Sequence, residues 1–248
     1  MDDFFGKYLL SYRDKKSASY FDQTRKKCMV IIESRDSFWL PLVIKNAIDK
    51  CPDFNLYVFS TEDIIEKLKI SIQGDFKVGY LSNPKEFRQI KNYNLLLTSE
   101  LFWHNFHEDH VIIFQLDTLF LREPKVEEYN HDFLGALCGG NLSQYVTEKT
   151  FIINGGLSYR TRSAMIRACR EMKDNIKYNR ETAEDVLFTH LLRNGNYRFP
   201  STDHCFNFSI ETVGNVSTCV GVHGTDKYFL ERETKQALQP ILHSIFLK

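Results

Sequence analysis

In "VIIFQLDTLF" (residues 111–120), an apolar run leads through Gln115 to an aspartate, Asp117. A short apolar run of this kind predicts a strand buried on both faces, as in a parallel sheet. The apolar pattern resumes at once after Asp117, with no Gly, Pro or Asn to make a turn. A carboxylate in such a run needs a partner, because burying an unpaired charge is costly. Asp117 therefore either ends the strand as a turn former or holds a metal ion, and both interpretations stay open.

Strand and helix patterns alternate on both sides of this strand. Apolar runs predict strands at "CMVIIESR" (28–35), "NLYVFS" (55–60), "DFLGALC" (132–138) and "TFIINGGLSYR" (150–160). Helical periodicity marks 37–51, 61–69, 84–106, 161–176, 182–195 and 234–248. Alternation in the first half and shorter strands in the second predict an α/β fold. We expect one Rossmann-like domain with a mainly parallel central sheet flanked by helices, and a smaller mixed sheet in the second half.

Composition excludes several classes of function. The 32 basic and 32 acidic residues cancel, which argues against nucleic acid as a partner. Six cysteines without a C-x-x-C pair are typical of reduced, buried thiols in an intracellular protein. There is no secretory signal and no run long enough to span a membrane, so we expect a cytoplasmic protein with at most peripheral membrane contact. Residues 1–27 are highly charged and predict a polar leader, with the domain at 28–248.

Polar residues lie at three predicted strand ends or bends. They are Glu33-Ser34-Arg35, Gln115-Leu116-Asp117 and Asn154-Gly155-Gly156. Ligands of open α/β sheets bind beyond the carboxyl ends of the strands. The topology is therefore expected to bring these three segments to one edge, where a site would form.

An ordered set of segments carries a resemblance to a known family. "VIIESR", "YNLLLTSELFW", "VIIFQLDTLF", "DFLGA", "INGGLSYR", "AEDVLF", "FSIE" and "GVH" occur in an order that resembles a group of glycosyltransferases with the GT-A fold. That group is of uncharacterised function and is found in large DNA viruses, bacteria and some eukaryotes; the likeness to giant-virus glycosyltransferase domains suggests a viral protein. The resemblance covers roughly residues 28 to 228.

The resemblance implies a metal site that binds the diphosphate of a nucleotide sugar. Asp117 matches the second aspartate of the family's Asp-x-Asp motif, whereas Gln115 stands at the first, where an amide is a weaker and neutral ligand. His223, in "GVHGT" (221–225), matches a late histidine of the metal shell. A carboxylate, an imidazole and phosphate oxygens suit Mn²⁺ or Mg²⁺. An ordinary polar histidine after a strand is the alternative for His223.

The resemblance also implies nucleotide and donor-sugar contacts. Glu33 and Arg35 match the strand-end loop that holds the nucleotide, and Lys91 with Tyr93 lies on a helix that adds further contacts. Asn154, Gly155 and Gly156 resemble the donor-sugar loop, where glycines let the backbone approach a ligand. The structural alternatives are an exposed arginine, a core tyrosine and a bend at the two glycines.

Glu184 and Asp185 match the acidic motif that supplies the base in inverting GT-A enzymes, with Asp185 ahead of Glu184. A base there would take the proton from the acceptor hydroxyl as it attacks the anomeric carbon. "TAED" (182–185) also fits a capping box, which requires no catalysis. Glu211, in "FSIE", is a further residue that could face the acceptor, although nothing physical in the sequence requires it.

These observations predict a metal-dependent, inverting glycosyltransferase that moves a sugar from a nucleotide sugar, a UDP-sugar, to a glycan or other hydroxyl acceptor. Two alternatives stay open. One is a metal-dependent phosphohydrolase or nucleotidyltransferase, which would use more clustered carboxylates than the Asp117 region offers. The other is a catalytically silent nucleotide-sugar-binding protein, which the missing first aspartate favours. The sequence does not specify the sugar, the acceptor or the oligomeric state.

Overall fold

The computed structural model describes residues 3–81, 90–138, 151–174, 182–224 and 232–246. Short strands of two residues accompany longer ones throughout these ranges. The strands are β1 (Ala18–Ser19), β2 (Lys27–Ile32), β3 (Asn55–Ser60), β4 (Gln73–Gly74), β5 (Lys77–Tyr80), β6 (His110–Phe114), β7 (Leu119–Phe120), β8 (Phe133–Leu137), β9 (Ile153–Thr161), β10 (Ser209–Ile210) and β11 (Gly221–Val222).

Helices connect most of these strands. They are α1 (Asp3–Leu9), α2 (Trp39–Lys50), α3 (Glu62–Ser71), α4 (Ile90–Leu97), α5 (Glu100–Trp103), α6 (Arg162–Asp174), α7 (Glu184–Asn194), α8 (Thr202–Phe208) and α9 (Arg232–Phe246). Pro41 lies in the first turn of α2, where its missing N–H costs no helical hydrogen bond. Among the helices of the described ranges, none combines the length and apolar character needed to cross a bilayer.

The central sheet has six strands in the order β5-β3-β2-β6-β9-β8. The first four are parallel, whereas β9 runs antiparallel to both β6 and β8. A three-stranded mixed sheet, β10-β11-β7, lies beside it, and β1 pairs with β4. The predicted fold class, a mostly parallel sheet flanked by helices with a smaller mixed sheet, is confirmed.

Alternating side chains of the parallel strands supply two apolar layers, one on each face. In β2, Met29 and Ile31 belong to one layer and Val30 and Ile32 to the other. Residues 111–114 of β6 are 0% exposed, which explains why this run shows no alternation of polar and apolar residues. Burying each of these large apolar side chains contributes about 1.5–3 kcal/mol, so the central strands provide a rigid base for the loops at their ends.

The prediction that residues 1–27 form a polar leader apart from the core is wrong. Phe5, Tyr8, Leu9 and Tyr12 of this segment are all buried in the apolar layer that also contains residues of α2 and α9. Their spacing of three, four and seven residues puts them on one side of a helical segment, so Lys7, the charged residue between them, faces water. The segment is therefore packed into the core.

The prediction of one long helix over residues 84–106 is also wrong in the part that the structure describes. Helix α4 ends at Leu97 and α5 begins at Glu100. The Thr98 hydroxyl donates to the Asn94 carbonyl (2.8 Å), and the Trp103 indole N–H donates to the Leu97 carbonyl (2.8 Å). These side chains satisfy carbonyl groups at the end of α4, so the helix can stop there. Pro84, the predicted start, lies outside the described residues.

Candidate active site

A cavity of about 400 Å³ lies at the carboxyl ends of β2 and β6. Its lining includes residues of all three segments that the sheet topology was expected to bring together. They are residues 33–35, Gln115 and residues 154–156. The third segment begins β9, which runs antiparallel to β6, so the start of β9 lies at the same edge as the end of β6. Helix α7 adds Glu184 and Asp185 to the lining.

Asp117 lies in a turn that follows β6. The Thr118 N–H donates to the Gln115 carbonyl (3.1 Å), and β7 begins at Leu119. The chain therefore turns here although no Gly, Pro or Asn flanks Asp117. The Asp117 side chain is nevertheless only 4% exposed, so this is not an ordinary surface turn. Asp117 is both a turn residue and a buried carboxylate.

Asp117, Gln115 and His223 bring three possible metal ligands together. His223 Nε2 lies 3.2 Å from Asp117 Oδ1 and 3.2 Å from Gln115 Oε1. In an octahedral site with ligands at ~2.1 Å, neighbouring donor atoms are ~3 Å apart, so these distances fit one divalent ion. Within the described ranges no group of three or more His, Cys, Asp or Glu is placed to hold a metal. Any metal site here therefore needs the Gln115 amide or ligand oxygens to complete it.

Gly156 and Gly155 leave room for protein side chains. A methyl group on Gly156 would lie 1.9 Å from His223 Nε2, and one on Gly155 would lie 2.3 Å from Glu184 Oε1. Their amides are also used within the protein: Gly155 N–H donates to Asp185 Oδ2 (3.3 Å), and Gly156 N–H donates to Asn154 Oδ1 (2.7 Å). The two glycines thus allow the strand to lie directly against the acidic residues and the histidine of the site.

Glu184 and Asp185 have different surroundings. Glu184 is buried and accepts two hydrogen bonds from the Arg160 guanidinium, at 2.7 and 2.9 Å. Burial raises the pKa of the Glu184 carboxyl, an effect that Arg160 opposes. Asp185 is half-buried and contacts the Gly155 amide. The Arg160 pair accounts for Glu184 structurally, so Asp185 is the better candidate for a base.

The capping-box alternative predicts that the Thr182 side chain begins α7. In the structure the N-cap residue is Ala183, and no side chain caps the helix there. The Glu184 backbone N–H is instead satisfied by Asn94 Oδ1 (3.3 Å), a side chain from α4. The first turn of α7 is therefore attached to the wall of the cavity.

The predicted nucleotide-binding residues fall into two groups. Arg35 donates from its backbone N–H and Nε to Glu33 Oε1 (both 2.8 Å) and from Nη2 to Glu33 Oε2 (2.6 Å), and both residues line the cavity. Tyr93 also lines the cavity, and burial raises the pKa of its phenol. Lys91 is exposed and is not among the lining residues, so the structure separates it from the other candidates.

Sequence reasoning missed Arg160 and gave Glu211 no definite role. Arg160 is 0% exposed, and it was assigned only to a strand. Glu211 is 1% exposed, lines the cavity and accepts a hydrogen bond from Asn154 Nδ2 (3.0 Å). A charged residue within an apolar strand pattern, as in "GLSYR", was the available signal for Arg160, because a buried cation requires a partner.

Comparisons with known proteins place the chain in a family. Residues 75–223, more than half of the chain, match the family described as "Protein of unknown function (DUF5672)", and the chain belongs to that family. No curated protein matches it. Among solved structures it is similar to the apo-form glycosyltransferase GlyE of Streptococcus pneumoniae TIGR4, with a TM-score of 0.47 and 10% identity. That similarity covers 88% of this chain and 60% of the other, and at this level it carries no argument about activity.

Proposed function

We propose that the protein is a metal-dependent glycosyltransferase that transfers a sugar from a nucleotide sugar, a UDP-sugar, to a hydroxyl acceptor. The observation that carries this proposal is the convergence of Asp117, Gln115 and His223 beside the cavity that Asp185 lines. A divalent-ion ligand set adjoining a candidate base suits transfer from a diphosphate donor, because the ion can stabilise the leaving group while the base accepts a proton.

Asp117 and His223 would hold Mn²⁺ or Mg²⁺, with the Gln115 amide as a third, neutral ligand. Oxygen ligands suit both ions, and the imidazole nitrogen favours Mn²⁺. The metal, when bound, stabilises negative charge on the departing diphosphate. Arg35 is suited to bind a diphosphate or a base carbonyl, because Glu33 holds its planar set of donors in a fixed orientation.

Asp185 is the proposed base. It would accept the proton of the acceptor hydroxyl while that oxygen attacks the anomeric carbon, which inverts the configuration at that carbon. The proposal is supported by its half-buried carboxylate, which lines the cavity and is held by two backbone amides. Oδ2 accepts from the Gly155 N–H (3.3 Å) and Oδ1 accepts from the Val186 N–H (2.8 Å).

The test is a panel of UDP-sugars with Mn²⁺ or Mg²⁺ and simple glycan acceptors, with the products analysed by NMR. We expect a glycoside of inverted configuration and free UDP, and a loss of at least 100-fold in rate for Asp185→Asn. Release of phosphate instead of UDP would favour a phosphohydrolase. Tight UDP binding without turnover on any donor would favour a silent binding protein. A retained anomeric configuration would exclude Asp185 as the base of an inverting reaction.

A further inference from the structure

The two ring nitrogens of His223 face different groups. Nε2 faces Asp117 and Gln115, as described above. Nδ1 is buried and has no hydrogen-bond partner among the described residues, and the carboxylate oxygen Glu211 Oε1 lies 3.9 Å from it. That distance is longer than the ~2.9 Å of a direct hydrogen bond, but both side chains are at least nine-tenths buried. A buried polar atom without a partner points to a second arrangement of this imidazole.

Metal binding would require that second arrangement. A neutral imidazole carries one proton, and a nitrogen that ligates a metal must be the one without it. If Nε2 is the ligand, the proton must be on Nδ1, where it needs an acceptor. Metal-binding histidines almost always donate their other N–H to a carboxylate, a carbonyl or water, which fixes the tautomer and the ring orientation. Glu211 is the carboxylate in position to do this.

The surroundings of Glu211 keep it beside His223. The His223 backbone N–H donates to the Ile210 carbonyl (2.8 Å), so the backbone adjoining Glu211 is tied directly to His223. Asn154 Nδ2 donates to Glu211 Oε1 (3.0 Å), and Asn154 Oδ1 accepts from Gly156 N–H (2.7 Å). Gly156 in turn lies directly against the imidazole ring. These contacts hold the Glu211 carboxylate and the Gly156 backbone next to the imidazole ring.

We propose that Glu211 is a positioning residue for the metal site: it accepts the Nδ1 proton of His223 and so presents the Nε2 lone pair to the metal. This inference rests on the proposed function, since it assigns a partner to one of the proposed metal ligands. It replaces the acceptor-facing role that the sequence suggested for Glu211. Asn154, which was expected in the donor-sugar loop, supports Glu211 through its amide.

The test measures Mn²⁺ affinity by electron paramagnetic resonance in the presence of UDP, on the full chain and without any turnover. We expect Glu211→Ala to weaken Mn²⁺ binding by about 10–100-fold, the usual effect of removing such a partner. Glu211→Gln should lose less, because an amide oxygen still accepts an N–H, and it is the variant to use if Glu211→Ala does not fold. Glu108→Gln is the matched control. It alters another fully buried carboxylate, bonded to Asn55 and Tyr57 near the opposite end of β6, and should leave Mn²⁺ affinity unchanged.

A second measurement reports the tautomer directly. In ¹⁵N-histidine NMR spectra with Mg²⁺ and UDP, the signals absent from His223→Gln should show the proton on Nδ1 in the wild type and a mixture of tautomers in Glu211→Ala. Wild-type Mn²⁺ affinity in both Glu211 variants, or a proton on Nε2 in the Mg²⁺ complex, would overturn the inference alone. Failure of the wild type to bind Mn²⁺ with UDP would overturn the proposed metal site, and this inference with it.

Discussion

The buried pair of Arg160 and Glu184 gives a prediction that does not depend on the activity. The Arg160 side chain is 0% exposed and the Glu184 side chain 4% exposed, and the two are joined by bidentate hydrogen bonds. Aromatic rings surround the guanidinium, with its carbon 4.7 Å from the centroid of Phe133 and 5.4 Å from that of Phe188. Replacing only one member of the pair leaves the other charge buried among apolar groups.

The size of the effect follows from that burial. Arg160→Met should lower the free energy of unfolding by about 3–5 kcal/mol, because the Glu184 carboxylate is then buried without its partner. Glu184→Met should cost a similar amount. The double variant should lie within about 1–2 kcal/mol of the wild type, because methionine fills much of the volume of each side chain and no charge remains buried.

A double-mutant cycle tests this prediction. Urea unfolding of the wild type, both single variants and the double variant is monitored by circular dichroism. We expect the double variant to be more stable than either single variant, with a coupling energy of several kcal/mol. A single-variant loss below about 1 kcal/mol, the range of an exposed ion pair, would contradict this prediction, as would additive losses in the double variant.

Three further predictions follow from single contacts. Gly156→Ala should weaken Mn²⁺ binding more than tenfold and lower the free energy of unfolding by about 1–3 kcal/mol, because the added methyl group displaces His223. Metal titration and urea unfolding of this variant and of the control Gly6→Ala test the prediction. Burial lowers the pKa of His110, so the unfolded chain binds a proton more readily than the folded chain, and stability should fall as the pH drops below about 6.5. His110→Asn should make the urea unfolding midpoint depend less on pH between about pH 5.5 and 7.5. Arg35→Lys should weaken UDP binding, measured by calorimetry, about tenfold while changing stability little, since the Arg35 side chain is largely exposed. The same UDP affinity in the variant and the wild type would exclude Arg35 from the nucleotide site.

The central sheet could be predicted because each of its main strands is an apolar run of several consecutive residues. The apolar composition of β6, and the similar composition of β2 and β3, is enough to identify them as buried strands. The two-residue strands β7, β10 and β11 could not be predicted, since two residues carry no period, and only their pairing with one another defines them. Yet β11 leads directly to His223, so the local pattern alone did not reveal how the residues of the proposed metal site come together.

The N-terminal error has a different cause. Phe5, Tyr8, Leu9 and Tyr12 form a helical stripe, but the charged residues around them dominated the average composition. Averaging hid a periodic signal that was present in the sequence. The burial of Arg160 against Glu184, by contrast, depends on a contact between a strand and a later helix, which no local pattern contains.

The candidate site was predicted in part from strand ends and in part from resemblance. The convergence of residues 33–35, 115 and 154–156 follows from topology, because strand ends at one edge of a sheet share one cavity. The proximity of Asp117 to His223, which are 106 positions apart in the sequence, came only from the resemblance. The Mn²⁺ or Mg²⁺ cofactor, the UDP-sugar donor, the glycan acceptor, the cytoplasmic location and the viral origin remain predictions.

The proposed function depends above all on whether Asp117 and His223 hold a divalent ion that binds a nucleotide diphosphate. The most direct measurement is UDP binding by calorimetry with Mn²⁺ and with EDTA, on the wild type and on Asp117→Asn, which keeps the shape of the side chain and removes its charge. We expect UDP binding that requires Mn²⁺ in the wild type and that weakens at least tenfold in the variant. UDP affinity that is the same with EDTA, or unchanged in Asp117→Asn, would contradict it.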